Sequence, residues 1–136
     1  MQFRGKRVSV LGAGRSGLAV ARLLKTRRAK VFVSEARPED ACGQAAQELR
    51  AIEVDAEFGE NTHRVLDADM LVLSPGVPTD TPIVKLAMER QIPLRSEIEI
   101  AASLCEAPIV AITGTNGKTT TTMLVGEMCQ RAGWKT

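Results

Sequence analysis

The stretch RVSVLGAGRSGLAVARLL, residues 7–24, constrains the fold more than any other part of the chain. A Val-rich run ends at Gly12, and a helical pattern begins at Arg15. Gly12, Gly14 and Gly17 have G-x-G-x-x-G spacing. The first permits a tight turn, the second lets backbone N–H groups approach a diphosphate, and the third lets helix and strand pack closely. A strand, a glycine turn and a helix in that order form the opening of a parallel α/β sheet.

The rest of the chain repeats the alternation. Runs rich in Val, Ile and Leu lie at 31–35, 70–76, 92–96 and 108–114, as strands buried on both faces should. A weaker alternating strand lies at 54–59. Helical patterns fall at 15–28, 39–51, 82–90, 97–105 and 118–131. Thr81-Pro82 has the form of an N-cap followed by Pro at the first helical position. Ser96 and Glu99 have capping-box spacing, and Gly133 suits a left-handed C-terminal cap. The class is α/β: a Rossmann-like, mainly parallel sheet flanked by helices, then the first strand, phosphate loop and helix of a truncated ATPase domain. The boundary falls at Glu106–Pro108, giving units 1–106 and 107–136. One strand cannot make a sheet, so the tail is expected to pack on something, with self-association favoured.

Composition removes several classes of function. A net charge of +2 and three Phe, one Trp and no Tyr leave no basic-aromatic surface for nucleic acid. No apolar stretch approaches the ~20 residues that span a bilayer. The three cysteines, Cys42, Cys105 and Cys129, include no C-x-x-C pair, so reduced thiols in a cytoplasm are expected rather than zinc or disulfides. His63, the only histidine, falls on a short surface helix and carries no strong case for catalysis.

Loops that follow parallel strands emerge at one edge of the sheet. Arg15, Ser16, Glu35, Arg37, Ser74 and Gly76 should therefore line one crevice with Gly14. Glu35 ends the second strand 18 residues after Gly17, where an acidic group can bond a ribose or a base. On this loop alone, a nucleotide-diphosphate site, an NAD(P)-dependent oxidoreductase and a purely structural turn all stay open.

A second glycine loop, GTNGKTT, follows the run that ends at Ile112. Gly114, Thr115, Asn116, Gly117, Lys118, Thr119 and Thr120 would cradle phosphates. Lys118 would reach the β- and γ-phosphate oxygens, and Thr119 would ligate Mg²⁺. The usual P-loop has Gly where this chain has Ile112, so the loop is a shortened variant that uses Gly114. A hydride-transfer enzyme has no use for a lysine on a γ-phosphate. Two phosphate loops fit an enzyme that binds one nucleotide-carrying substrate and separately consumes ATP.

The segments GKRVSVLGAGRSGLAVARLL, ADMLVLSPGVP, IPLRSEIEIA and APIVAITGTNGKTTTTMLVGEM resemble the Mur ligase family, nearest to its D-glutamate-adding members. The second loop is also shared with folylpolyglutamate-type amide ligases, which remain an alternative. The resemblance implies ATP- and Mg²⁺-dependent addition of D-glutamate to UDP-N-acetylmuramoyl-L-alanine through an acyl phosphate, in cytoplasmic peptidoglycan precursor synthesis. It implies that residues 1–106 hold the UDP part, with Arg15 and Ser16 at the diphosphate. Glu35, Ala36 and Arg37 would surround uracil and ribose, and Ser74 and Gly76 would lie toward the diphosphate and sugar. The family commonly has Asp-Thr-Arg where this chain has Glu35-Ala36-Arg37, so one hydroxyl is missing here. Lys118 is the catalytic expectation. The 136 residues alone are not expected to turn over.

Overall fold

A computed structural model describes residues 2–136, which divide into two units between Leu104 and Cys105. In the first unit, five strands form one parallel sheet: β1 (Arg7–Leu11), β2 (Lys30–Glu35), β3 (Asp55–Phe58), β4 (Met70–Leu73) and β5 (Leu94–Ser96). Their order is β3-β2-β1-β4-β5. The helices are α1 (Arg15–Thr26), α2 (Gly43–Ala51), α3 (Pro82–Glu89) and α4 (Glu97–Leu104).

The central strand shows why the runs are apolar without interruption. Val8, Ser9, Val10 and Leu11 are all buried, because β1 has strands on both sides and helices over both faces. The period of two survives within that burial. Val8, Val10, Met70 and Val72 join one apolar layer with Val20, Ala21 and Leu24 of α1, Leu49 of α2 and Ile100 of α4. Leu11 and Leu71 join the opposite layer with Val65, Leu66 and the α3 residues Ile83, Val84 and Ala87.

The strand order fixes where a ligand can sit. The chain steps outward from β1 to β2 and β3, then returns to the other side of β1 as β4. The loops after β1 and β4 therefore diverge, and they leave a crevice at the carboxyl ends of the strands.

Local signals fare unevenly. The capping box forms as expected: Ser96 N–H donates to Glu99 Oε2 at 2.7 Å, and Glu99 N–H donates to Ser96 Oγ at 3.2 Å. The expected helix over 39–51 is instead a 3-10 turn, Glu39–Cys42, leading into α2 at Gly43, a weak helix former at the junction. His63 opens a second 3-10 turn, His63–Leu66. Thr81 precedes Pro82 at the start of α3, but its side chain does not cap. The Val84 and Lys85 N–H groups donate to the Thr81 carbonyl instead, at 3.1 and 3.0 Å, and the Thr81 hydroxyl is buried without a partner.

In the second unit the helix forms over the expected residues, as α5 (Lys118–Arg131). Its bonds close within the segment and need no neighbour. Its end is a Schellman motif: Gly133 has φ +82°, its N–H donates to Gln130 O, and Trp134 N–H donates to Cys129 O, both at 2.9 Å. The expected strand at 108–113 does not form. A strand's backbone groups are satisfied only by a laterally adjacent strand, and among the described residues the second unit holds no other strand. Ile109 and Val110 are exposed, and α5 buries none of its residues.

Candidate functional site

The turn from β1 into α1 is held by contacts that leave no room for side chains. Gly12 has φ +93°, in the left-handed region, and its N–H donates to Ser34 O at 2.8 Å. A Cβ on Gly17 would lie 1.9 Å from the Gly12 carbonyl oxygen and 2.8 Å from Ser74 Oγ. Gly14 is the contrast: a Cβ there would meet nothing within 4 Å. Gly14 is the N-cap of α1 and offers no capping side chain, and no acidic residue occupies the first turn. The first N–H groups of α1 thus stay without side-chain acceptors, with the positive end of the helix dipole behind them. That arrangement receives anions.

A cleft of ≈ 430 Å³ opens at this point. Gly14, Arg15, Ser16, Glu35, Arg37, Ser74 and Gly76 all line it, so the structure brings these residues together. Gly12, Pro75 and Val77 complete the wall, and Ala36 is exposed and takes no part in it. Ser74 also links the two loops of the crevice, since its hydroxyl donates to Gly12 O at 3.2 Å.

Glu35 is the buried charge of the cleft. Its Oε2 accepts from Ala13 N–H at 2.8 Å and from Arg37 Nη2 at 3.0 Å. Its Oε1 accepts from Arg37 Nε and from Arg37 N–H, both at 3.0 Å. The Arg37 fork, with help from the two backbone donors and against the cost of burial, lowers the Glu35 carboxyl to about 2. The same pairing raises Arg37. Arg37 remains 59% exposed, because only one edge of its guanidinium is used.

A second cavity of ≈ 460 Å³ lies between α1 and α2 and shares Arg15 and Arg37 with the cleft. Arg22 stands on its wall, paired to Glu48 at 2.5 Å. Sequence reasoning did not find this cavity or the Ala13–Glu35 bond. The partners are 26 and 22 residues apart, and no local pattern marks such pairs.

The second glycine loop stands in the second unit. Gly114 and Gly117 have φ +147° and +78°, and Gly117 caps α5, again with no side-chain cap and no acid in the first turn. Lys118 is folded back: its Nζ donates to Gly114 O at 2.6 Å and lies 3.4 Å from Thr115 O. Thr115, Asn116, Thr119 and Thr120 are exposed around it. Uncapped N–H groups, glycines and a lysine fit a phosphate chain. For Mg²⁺ the fit is partial. Thr119 offers one neutral oxygen, and the described residues hold no cluster of His, Cys, Asp or Glu, so most ligands would have to be phosphate oxygens, water or groups outside the chain.

Comparison with known proteins bears on the family and the fold. The family model for the Mur ligase MurD-like N-terminal domain matches residues 6–96. A UDP-N-acetylmuramoylalanine–D-glutamate ligase of Thermoanaerobacter pseudethanolicus is 45% identical over 136 residues, 99% of this chain and 30% of the relative. The enzyme of that name from Salinibacter ruber is 49% identical over 132 residues, 96% of this chain and 28% of the relative. The chain thus spans less than a third of the length of these relatives. Among solved structures, a UDP-N-acetylmuramate–alanine ligase of Thermotoga maritima superposes with TM-score 0.63 at 22% identity, covering 92% of this chain and 29% of that one. A murein peptide ligase of Psychrobacter arcticus gives 0.64 at 21% identity, covering 95% and 27%. These two likenesses concern the fold alone, whereas the family match over most of the first unit and the close relatives show that the chain belongs to the Mur ligase family, as a MurD-like N-terminal domain.

Proposed function

We propose that the chain is the substrate-binding front of an enzyme that adds D-glutamate to UDP-N-acetylmuramoyl-L-alanine at the expense of ATP. The observation that carries this reading is the 45% identity, over 99% of the chain, with a ligase named for that reaction. The cleft supports it chemically. A diphosphate needs backbone N–H donors and a cation, and the α1 N-terminus with Arg15 and Arg37 supplies them at one opening. On this reading, residues 1–106 form the UDP-binding domain and 107–136 begin the ATP-binding domain. Ser16, Ser74 and Gly76 contact the diphosphate and sugar side, and Glu35, Ala36 and Arg37 stand around the uridine.

The reaction is amide formation. The muramoyl-alanine carboxylate attacks the γ-phosphorus of ATP, releasing ADP and leaving an acyl phosphate. The amine of D-glutamate then adds to the acyl carbon, and the tetrahedral intermediate expels phosphate. Gly114 to Thr120 would hold the triphosphate, and Lys118 would leave its two backbone acceptors to face the charge of the transferring group. Thr119 would take one position on Mg²⁺, which supplies Lewis-acid neutralisation of the phosphates when bound. We assign the work to the cytoplasm, where ATP and UDP precursors occur; no helix among the described residues is long and apolar enough to cross a membrane.

Calorimetric titration tests the reading. UDP-N-acetylmuramoyl-L-alanine should bind the 136-residue chain and NADH should not. Binding of NADH with no response to the uridine compound would overturn it.

A further inference from the structure

We infer that Glu35 is a positioning residue that acts through Arg37, and that it does not itself accept a hydrogen bond from the bound nucleotide. The inference rests on the UDP-binding reading above. In dinucleotide-binding sheets, the acid that ends the second strand takes ribose hydroxyls. Glu35 stands at that place, but its acceptors are already engaged. A carboxylate has about four lone-pair sites. Ala13 N–H, Arg37 N–H, Arg37 Nε and Arg37 Nη2 fill them, at 2.8 to 3.0 Å. A ligand N–H or O–H would have to break one of these bonds, three of which come from a single residue.

The arrangement has a purpose visible in Arg37. The Glu35 oxygens take Nε–H and one Nη2–H in a two-point fork. A guanidinium has five N–H donors, so three remain on a side chain that is 59% exposed and lines the cleft. A free arginine samples many rotamers, and ordering it on binding costs affinity. Here that ordering is done before the ligand arrives. Glu35 also grips Ala13, inside the glycine turn, so one buried carboxylate sets the loop and the arginine in register with each other.

A double-mutant cycle tests this, with UDP as the probe and calorimetry as the readout. Glu35→Gln keeps an oxygen for Ala13 N–H but cannot accept both arms of the fork. It should weaken UDP binding about tenfold, and Arg37→Ala should weaken it at least as much. In the Arg37→Ala background, Glu35→Gln should add less than about twofold, because the residue it works through is gone. Glu35→Gln should also move the Arg37 Nε–H resonance to the position of a free side chain without ligand present. Arg37→Lys keeps the charge and leaves Glu35 intact but cannot form the fork. It should lose at least about fivefold, which holds the test open if Glu35→Gln does not fold. Additive losses in the cycle would mean that Glu35 acts on the ligand independently of Arg37, and parent-like affinity in Arg37→Lys would mean that the fork does not set the arginine; either result would overturn the inference. Absence of UDP binding to the parent chain would instead remove the functional reading, and the inference with it.

Discussion

Gly17→Ala puts the packing of the glycine turn to a quantitative test. The added methyl carbon would stand 1.9 Å from the Gly12 carbonyl oxygen, a backbone atom that cannot rotate away. Relief requires α1 to withdraw from β1 by more than about 1 Å. Overpacking costs typically ~1–3 kcal/mol, and a clash with backbone places this site at the upper end, about 3 kcal/mol or more. Alanine recovers at most about 1 kcal/mol of helix propensity, since Gly17 lies in the first turn of α1. A net loss of at least about 2 kcal/mol follows, or a melting temperature lower by roughly 8 °C or more in a domain of this size. Gly14→Ala is the control. Its Cβ meets nothing, its φ is −74°, and the change should stay within about 1 kcal/mol. Thermal unfolding followed by far-UV circular dichroism reads both. If Gly17→Ala melts within 2 °C of the parent, the close approach of helix and turn is not what holds this loop.

Acid should destabilise the first unit through Glu35. Its folded pKa of about 2 lies below the ordinary 4.5, so its contribution is complete above about pH 5 and is lost as pH falls toward 2. For this buried carboxylate the loss amounts to at most about 3 kcal/mol, and Glu35→Gln should flatten the melting temperature between pH 5 and 3. A variant that keeps the parent's acid slope would assign that slope to other groups. In a full-length enzyme, Lys118→Ala should lower kcat by at least about 10²-fold; a near-parental rate in steady-state assays would remove Lys118 from the mechanism. The apolar side chains of Met123, Leu124, Met128 and Trp134 are 60–71% exposed, so we expect the 14.6 kDa chain to self-associate. Light scattering that gives a strict monomer while α5 stays helical would refute this.

The sequence by itself determined whatever depends on neighbours a few residues away. The apolar runs of β1, β2 and β4, the helical periods of α1 and α5, the Ser96–Glu99 box and the Gly133 cap are local patterns, and each of these forms where its residues require. The spacing of Gly12, Gly14 and Gly17 marked the loop, and the parallel order of strands brought Arg15, Arg37 and Ser74 to one opening. Tertiary structure decided what depends on partners far along the chain. Glu35 was legible as an acid at a strand end, but not as one whose acceptors are filled by Ala13 and Arg37. Ser74 was legible as a residue of the crevice, but its hydroxyl's bond to Gly12 across 62 positions was not. The run at 108–113 has a strand's composition and no strand, because β structure is completed only by another strand beside it, whereas α5 completes its own bonds.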